Sequence, residues 1–171
     1  TDHDFDRKKD EILQNLKQKK IISLISDSGS PLISDPGNQL INFLYQNNVK
    51  IFSIPGPSAL ISGIQLSGFL NKKYFAFLGF LPKKASQKIS ILETHFNNNL
   101  IIYTTKQQLE KDIEAIANIA EKFEIIIMKE LTKMFEERIY ISHENYKGID
   151  LKAVKGELVL AVNLISTAQN Q

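Results

Sequence analysis

The sequence predicts an α/β fold whose first part is a parallel sheet covered by helices. Short apolar blocks rich in branched residues alternate with segments of helical periodicity along most of the 171 residues. Near the start, two strand–loop–helix units follow each other, and both of their loops are rich in glycine, serine and proline. Successive units of this kind place their strands side by side in one sheet, with ligand sites at the carboxyl ends of the strands.

Helices and strands of the first part follow from the spacing of its apolar residues. Residues 4–20 predict a charged surface helix, since apolar side chains recur there at helical intervals. Residues 21–25 and 49–54 are apolar blocks and predict two buried strands. The segments after them, which run to about residue 47 and over residues 59–66, predict the helices that complete the two units.

Two loops rich in small residues connect these strands to their helices. They span residues 26–37 and 55–59. In the first, Asp35 is placed to cap the next helix and Pro36 to occupy its first position. Glycine and small side chains let the backbone approach a ligand closely, so we interpret both loops as a binding site. The alternative is a pair of ordinary turns.

A polar turn near residue 70 predicts a linker, which would divide the chain into residues 1–70 and 71–171. The second domain begins with a strand at residues 74–80, and helices and strands alternate after it. We expect helices at 86–96 and 107–122, strands at 100–103, 124–128, 138–141 and 157–164, and a frayed tail at 166–171.

The segment 72–88 is basic and aromatic. It contains four aromatic residues, no acidic residue and five lysines, namely Lys72, Lys73, Lys83, Lys84 and Lys88. Lysine beside aromatic side chains is the composition that phosphate contact and base stacking require, so we interpret the segment as an RNA-binding surface. The alternative is a strand with its aromatic residues in the core and its lysines in solvent.

Composition and missing motifs exclude several other classes of function. The net charge of +2 is too small to indicate nucleic-acid binding by itself. The absence of cysteine excludes disulfides and thiol nucleophiles and is typical of a cytoplasmic protein. The apolar runs are too short to cross a membrane, and the three histidines lack the spacing of metal ligands, so we expect neither a membrane nor a metal partner. Signatures of nucleotide triphosphate, dinucleotide and serine-hydrolase sites are also missing.

Five motifs stand in order along almost the whole chain. They are residues 26–37, Pro-Gly-Pro-Ser-Ala at 55–59, Gly-Phe-Leu-Pro-Lys at 79–83, Glu-Leu-Thr-Lys at 130–133 followed by Glu136, and Lys-Gly-Glu at 155–157. Together they resemble the bacterial ribosomal RNA small-subunit methyltransferases I, a family of the tetrapyrrole methylase superfamily. The resemblance implies a two-domain fold, with an incomplete parallel sheet in the first domain and a mixed sheet with helices in the second.

The resemblance also implies a function. Members of the family use S-adenosylmethionine to methylate the ribose 2′-hydroxyl of a cytidine in 16S ribosomal RNA, and they are cytoplasmic homodimers whose cofactor lies in the cleft between the domains. The implied cofactor contacts here are Asp27, Gly29, Ser30, Ile33, Ser58, Ala59, Tyr103, Leu131 and Glu157. The implied candidates for polar work near the acceptor hydroxyl are Glu130, Lys133 and Glu136.

The chain departs from the family pattern in three places. The N-terminal Gly-Asn-Leu-x-Asp motif and the following Glu-Asp-Thr-Arg segment have no counterpart, so we expect a truncated first domain that is poorly stable or aggregates by itself. After Tyr103 the family has Glu-Ser-x-His-Arg, whereas this chain has Thr-Thr-Lys-Gln-Gln. A carboxylate, an imidazole and a guanidinium are lost there together. Ser28 and Ser30 replace the usual alanine and threonine.

Two other functions fit parts of the sequence. One is a methyltransferase of the same superfamily that acts on a small tetrapyrrole, which the motifs at 79–83 and 130–133 disfavour. The other is a non-catalytic remnant that keeps the basic surface for RNA and does not hold the cofactor.

Overall fold

The computed structural model of the protein describes residues 5–69 and 72–166. The chain divides into two compact units, Thr1–Ser58 and Ala59–Gln171. The prediction of domains at 1–70 and 71–171 stays a prediction. The expected linker near residue 70, the frayed tail beyond residue 166 and the first residue of the predicted first helix lie outside the described residues.

The described residues of the first unit contain two helices, α1 (Phe5–Lys17) and α2 (Asn38–Gln46). They pack through an edge-to-face contact between Phe5 and Phe43, whose ring centroids are 5.9 Å apart. In the described part of this unit only Leu44 is buried. Both helices confirm the predicted periodicity, but they enclose almost no core.

Three predictions for the first unit are wrong. Residues 21–25 and 49–54 form no strand, and Ile21, Phe52 and Ile54 are 73% to 96% exposed. A strand needs a neighbour to receive its backbone hydrogen bonds, and neither segment pairs with one in the described residues. The predicted cap also fails, because α2 begins after Gly37 and no side chain caps it.

Within its described residues, the second unit contains the sheet and three α-helices. Its helices are α3 (Ala59–Ser67), α4 (Ala85–Thr94) and α5 (Lys106–Ile119). Its strands are β1 (Phe75–Phe80), β2 (Asn99–Thr104), β3 (Lys122–Lys129), β4 (Glu137–Ser142) and β5 (Leu158–Ile165). Each matches a predicted element to within a few residues. Two short 3₁₀ turns, Tyr146–Gly148 and Leu151–Ala153, were not predicted.

The five strands form one mixed sheet in the order β1-β2-β5-β3-β4. Only β1 and β2 pair in parallel; β5 is antiparallel to both of its neighbours, and β3 and β4 are antiparallel to each other. The expected mixed sheet with helices is therefore confirmed. A register shift between Phe77 and Gly79 leaves Leu78 unpaired in a bulge, where Gly79 has a φ of 59°.

Alternation along the strands gives the sheet two apolar faces. Leu100 and Ile102 belong to a large cluster that α4 and α5 cover, with Leu92, Leu109 and Ile113 as helix contributors. The intervening Ile101 and Tyr103 belong to a smaller cluster on the other face, together with residues of α3. Helices thus cover both faces of the sheet, which is the layering that an α/β fold requires.

Candidate functional site

Three strands of the second unit end on the same edge of the sheet. β1 and β2 are parallel, and β3 runs in the same direction as β2 because both are antiparallel to β5. Thr104 and Lys129, the last residues of β2 and β3, both lie opposite Leu158 at the start of β5. The connections that follow the three strands therefore gather on one edge, which we call the loop edge.

The loop edge brings together most of the second-unit residues that the sequence predicts for the site. It consists of the ends of the strands with residues 81–84, 105, 130–136 and 155–157. The predicted site residues on it are Lys83, Lys84, Tyr103, Glu130, Leu131, Lys133, Glu136 and Glu157. Residues far apart in sequence thus become neighbours, as binding residues on the loops of a rigid scaffold do.

An aromatic cluster lies where β1 and β2 end. The ring of Tyr103 makes edge-to-face contacts with Phe77 at 4.8 Å and Phe80 at 5.7 Å between centroids. The Gly79 bulge precedes Phe80, which is 56% exposed. Tyr103 therefore forms part of a partly open aromatic surface, and its half-buried ring is held by packing from two sides.

The turn from residue 130 to residue 136 is tied to the start of β5. The backbone N–H of Glu130 donates to the Glu157 carbonyl at 2.9 Å, and the Glu157 N–H donates to Oε1 of Glu130 at 2.6 Å. The Lys133 ammonium pairs with Glu157 at 2.9 Å and faces Glu130 at 3.7 Å. One glutamate side chain and one lysine side chain thus connect the two segments.

The pKa of Lys133 lies above its ordinary value of 10.5, chiefly because of the hydrogen bond to Glu157 and then because of the charges of Glu157 and Glu130. Lys133 is therefore a cation at neutral pH. Oε2 of Glu136 accepts the backbone N–H of Thr132 at 2.7 Å, which closes the turn on itself.

Gly156 leaves the space that the Glu130 side chain occupies. A Cβ at this position would lie 2.8 Å from Cγ and 2.9 Å from Cδ of Glu130, and Gly156 has a φ of 107°. Any side chain here would be both crowded and strained. The sequence interpretation quoted Gly156 only as part of a motif, although a glycine close to the start of an apolar strand is a signal of close backbone approach.

The five lysines of the basic segment do not form one surface. Lys83 and Lys84 are exposed on the loop edge, and Lys73 is exposed and lies over the ring of Tyr74 at 5.1 Å. Lys72 donates to the carbonyls of Phe96 at 2.7 Å and Asn98 at 3.4 Å, so its ammonium serves the fold. The alternative, with the aromatic residues in the core and the lysines in solvent, is also incorrect, because Tyr74, Phe75 and Phe80 are exposed and Lys88 is buried.

The prediction of RNA binding by Lys88 is wrong. Its side chain is 1% exposed and pairs with Asp112 of α5, while Gln108 accepts a further hydrogen bond at 3.2 Å. Oδ2 of Asp112 accepts from the Thr104 hydroxyl at 2.6 Å. The sequence interpretation missed this network because Asp112 directly follows Glu110 and Lys111 in a charged stretch of α5, where no local pattern marks it as a buried ion.

In the first unit, the two predicted binding loops contact each other. The Ser30 hydroxyl donates to the Pro57 carbonyl at 3.0 Å, and a Cβ on Gly29 would lie 3.3 Å from the same oxygen. Ser26 donates to the Gly29 carbonyl at 2.8 Å. The loops therefore approach backbone to backbone, which is possible because their contact residues are small.

The remaining predicted contacts are spread over both units. In the first unit Asp27 is exposed, Ile33 is 36% exposed and Ser58 is half-buried. In the second unit, Ala59 and Leu131 pack against the smaller apolar cluster that contains Tyr103. Among the described residues there is no group of side chains suited to hold a metal ion, and no helix among them could span a membrane.

The sequence profile of the family described as Tetrapyrrole (Corrin/Porphyrin) Methylases matches residues 2–144. Three curated relatives carry the name Ribosomal RNA small subunit methyltransferase I. The protein from Hydrogenobaculum sp. is 35% identical over 164 residues, which are 91% of this chain and 69% of the relative. The protein from Leptospira biflexa is 34% identical, over 89% of this chain and 64% of the relative. The protein from Buchnera aphidicola is 41% identical, over 92% of this chain and 58% of the relative. The chain thus spans about three fifths to two thirds of the length of these relatives.

Solved structures resemble the fold at low sequence identity. The methyltransferase CobJ has a TM-score of 0.68 at 14% identity, with 95% of this chain and 72% of that chain covered. A uroporphyrin-III C-methyltransferase from Thermus thermophilus, complexed with S-adenosyl homocysteine, has a TM-score of 0.59 at 12% identity, with 90% and 70% covered. The α/β architecture described above is therefore one that methyltransferases of known structure share.

Proposed function

This chain belongs to the tetrapyrrole methylase family, and we propose that it is an S-adenosylmethionine-dependent methyltransferase that modifies the RNA of the small ribosomal subunit. The observation that carries the proposal is its similarity, over about nine tenths of its length, to proteins named for that activity. We further propose that the acceptor is the ribose 2′-hydroxyl of a 16S ribosomal RNA cytidine. The motifs that carry the resemblance support this finer assignment.

The residues of the two first-unit loops suit S-adenosylmethionine. Their backbones are accessible because the side chains of Gly29 and Gly56 are absent and that of Ser30 is turned to the Pro57 carbonyl. Backbone N–H and C=O groups in such loops can bind an adenine, a ribose or an amino-acid group. The proposed holding residues are Asp27, Gly29, Ser30, Ile33 and Ser58 in the first unit, with Ala59, Tyr103, Leu131 and Glu157 in the second.

Methyl transfer to a hydroxyl is an in-line displacement, so alignment contributes most of the acceleration. The cofactor supplies the methyl group from its sulfonium. On the loop edge, Lys133 would act as a cation near the acceptor, because its raised pKa keeps it protonated and unable to take up the hydroxyl proton. Glu130, Lys133 and Glu136 are the proposed polar residues near the acceptor, and the proton that the hydroxyl loses passes to water, because Lys133 is already protonated and both carboxylate oxygens of Glu130 are engaged.

Exposed Lys83 and Lys84 on the loop edge support an RNA substrate, since phosphate contacts position RNA on a protein. With an RNA of the small subunit as its substrate, the protein would act in the cytoplasm. The family resemblance further implies a homodimer. Light scattering in solution tests the dimer, with the mass of a single 19.4 kDa chain as the contrary result.

The decisive experiment transfers a tritiated methyl group from labelled cofactor to three substrates in parallel: naked 16S ribosomal RNA, assembled small subunits and a precorrin-type tetrapyrrole. The proposal is supported if the label enters the RNA and the labelled ribose becomes resistant to cleavage by nuclease. Label in the tetrapyrrole alone overturns it in favour of the other branch of the family. Calorimetric titration with S-adenosylmethionine separates both from a non-catalytic RNA-binding protein, which would release no heat of binding.

A further inference from the structure

We propose that Glu130 is a positioning residue: its carboxylate fastens the turn 130–136 to the start of β5, in space that Gly156 leaves free. This inference rests on the proposed function only for its effect on methyl transfer. The clasp itself, defined by Glu130, Gly156 and Glu157, is a feature of the fold with its own measurable consequences.

The contacts of Glu130 form a closed ring. Its N–H donates to the Glu157 carbonyl and its Oε1 accepts the Glu157 N–H, at 2.9 Å and 2.6 Å. Its Oε2 faces the Lys133 ammonium at 3.7 Å. Both carboxylate oxygens are engaged, and the side chain is 21% exposed. A proton taken up by this group would weaken the contacts that hold it, so the geometry argues against a role as general base.

Gly156 is the complement of the Glu130 side chain. A Cβ there would press on Cγ and Cδ of Glu130 at 2.8 Å and 2.9 Å, below any ordinary contact distance. The motifs at 130–133 and 155–157 are therefore two halves of one structural unit. A glycine at one position permits a large carboxylate side chain at the other.

The turn also stores backbone strain, which the clasp holds in place. Glu130 and Thr132 adopt left-handed conformations, with φ of 51° and 66°. This conformation is unfavourable for a residue that carries a Cβ, so such residues persist only where their surroundings enforce them. The Glu130 clasp enforces the first, and the hydrogen bond from the Thr132 N–H to Glu136 enforces the second.

The strained turn places two other candidates for function. Leu131, between the two left-handed residues, packs into the smaller apolar cluster beside Tyr103. Lys133 reaches Glu157 at 2.9 Å. Loss of the clasp would release both side chains from these positions, so Glu130 acts through Leu131 and Lys133.

The first test measures the clasp without any catalysis. In Glu130→Ala the hydrogen exchange of the Glu157 amide should accelerate at least 10-fold, because its acceptor is gone. In Glu130→Gln the amide oxygen still accepts this bond, so exchange should stay within about 3-fold of wild type. The matched control is Glu110→Ala on the exposed surface of α5, which should leave the Glu157 amide unchanged. Unaltered exchange in Glu130→Ala overturns the proposal.

The second test separates positioning from proton transfer. If Glu130 positions the turn, Glu130→Ala lowers kcat for methyl transfer at least 10-fold, and Glu130→Gln restores most of it with the wild-type pH profile. If Glu130 is the base, both variants lose activity equally and the acidic limb of the profile disappears, which overturns the proposal. Wild-type protein that methylates no RNA at all refutes the proposed function instead, and leaves the exchange measurement to decide the clasp.

The third test uses the glycine. Gly156→Ala should accelerate Glu157 exchange as Glu130→Ala does, although it removes no polar group. Gly68→Ala is the matched control, because Gly68 also has a positive φ, of 64°, but no atom within 4 Å of the added carbon. In the Glu130→Ala background, Gly156→Ala should cost much less than in wild type, since the crowded partner is gone. Additive effects of the two substitutions contradict the proposed fit.

Discussion

At the scale of single residues, Asp112 is a charged group that the fold buries almost completely. It and Lys88 are each 1% exposed, and Asp112 contacts both the Lys88 ammonium and the Thr104 hydroxyl. The removal of two charges from water costs several kcal/mol per ion, and their attraction offsets this only while both partners are present. We therefore expect the network to specify how α4, β2 and α5 fit together more than it adds to stability.

Replacement of Asp112 by alanine should lower the free energy of unfolding by about 3–5 kcal/mol, because it leaves Lys88 charged and unpaired in the core. The double variant Lys88→Met/Asp112→Leu should recover most of that loss, since no buried charge remains. Urea unfolding followed by circular dichroism checks both. Glu114→Ala, on the exposed side of the same helix, is the control. Equal losses in the single and double variants would show that the charges themselves stabilise the fold.

Lys72 gives a prediction for pH dependence. Partial burial lowers its pKa from the ordinary value of 10.5, while the ammonium donates to two carbonyls. Between the lowered pKa and 10.5 the unfolded chain binds more protons at this residue than the folded one, so its contribution to stability rises with pH there. Below that window Lys72 is protonated in both states and contributes no slope.

We therefore expect Lys72→Met to flatten the rise of stability on the alkaline side, as measured by urea unfolding at a series of pH values below 10.5. Lys73→Met is the control at the neighbouring exposed position. An unchanged slope in Lys72→Met would mean that other groups set the pH dependence.

At the scale of elements, the connection between β1 and α4 presents Lys83 and Lys84 to solvent on the loop edge. Each lysine that neutralises a phosphate makes the fall of log K with log salt steeper by about 0.7–0.9. Replacement of both by alanine should therefore weaken binding to 16S ribosomal RNA. It should also make the fall of log K with log salt shallower by about 1.4–1.8.

The measurement is a titration of RNA at several salt concentrations. The control Lys111→Ala/Lys122→Ala changes the net charge equally at exposed positions off the loop edge, on α5 and at the start of β3. If the two double variants weaken binding alike, the effect is one of overall charge and the loop edge is not the RNA surface.

Local pattern predicts the second-unit elements well because each has a partner. The apolar blocks at 100–103 and 124–128 pair on both sides within the sheet, so their periodicity agrees with their environment. The apolar blocks at 21–25 and 49–54 have no strand beside them in the described residues and stay irregular. Strand propensity thus indicates which segments would fit into a sheet, but a segment becomes a strand only when a neighbouring strand pairs with it.

The sequence predicts the candidate site to the extent that the site depends on the directions in which the strands run. Loops after parallel or co-directional strands meet at one edge, which places Tyr103 near Leu131 and Glu157. What Glu130 and Lys88 do depends on partners 27 and 24 residues away, at Glu157 and Asp112. The sequence shows only that both residues are charged. The three-dimensional contacts show that Glu130 and Lys88 hold parts of the fold together.

At the scale of the whole molecule, the two units differ sharply in burial. Leu44 is the one buried residue in the described part of the first unit, while the second has two apolar clusters. Exposed side chains such as Ile21, Phe52 and Ile54 gain nothing from the hydrophobic effect in this arrangement. Stability is therefore concentrated in the sheet.

In this 171-residue polypeptide, amides of α1 and α2 should exchange at least 100-fold faster than those of β2, β3 and β5. Hydrogen exchange read out by mass spectrometry on peptides from each unit checks this. We expect the poor stability predicted from the sequence to be observed as aggregation through the exposed segments 21–25 and 49–54. Added salt should promote this aggregation. Equal protection in both units, or a single sharp melt of a monomer, would contradict this account.

The position of β5 has a consequence for biosynthesis. This strand lies at the centre of the sheet, between β2 and β3, although the chain reaches it after all the others. During translation the β1–β2 pair and the β3–β4 pair emerge first and remain unjoined, each with an open edge, until residues 158–165 leave the ribosome tunnel. At about 5–20 residues per second, that interval lasts seconds. Nascent chains stalled before residue 158 should accordingly recruit chaperones that bind unpaired strands, and chains released after residue 165 should not.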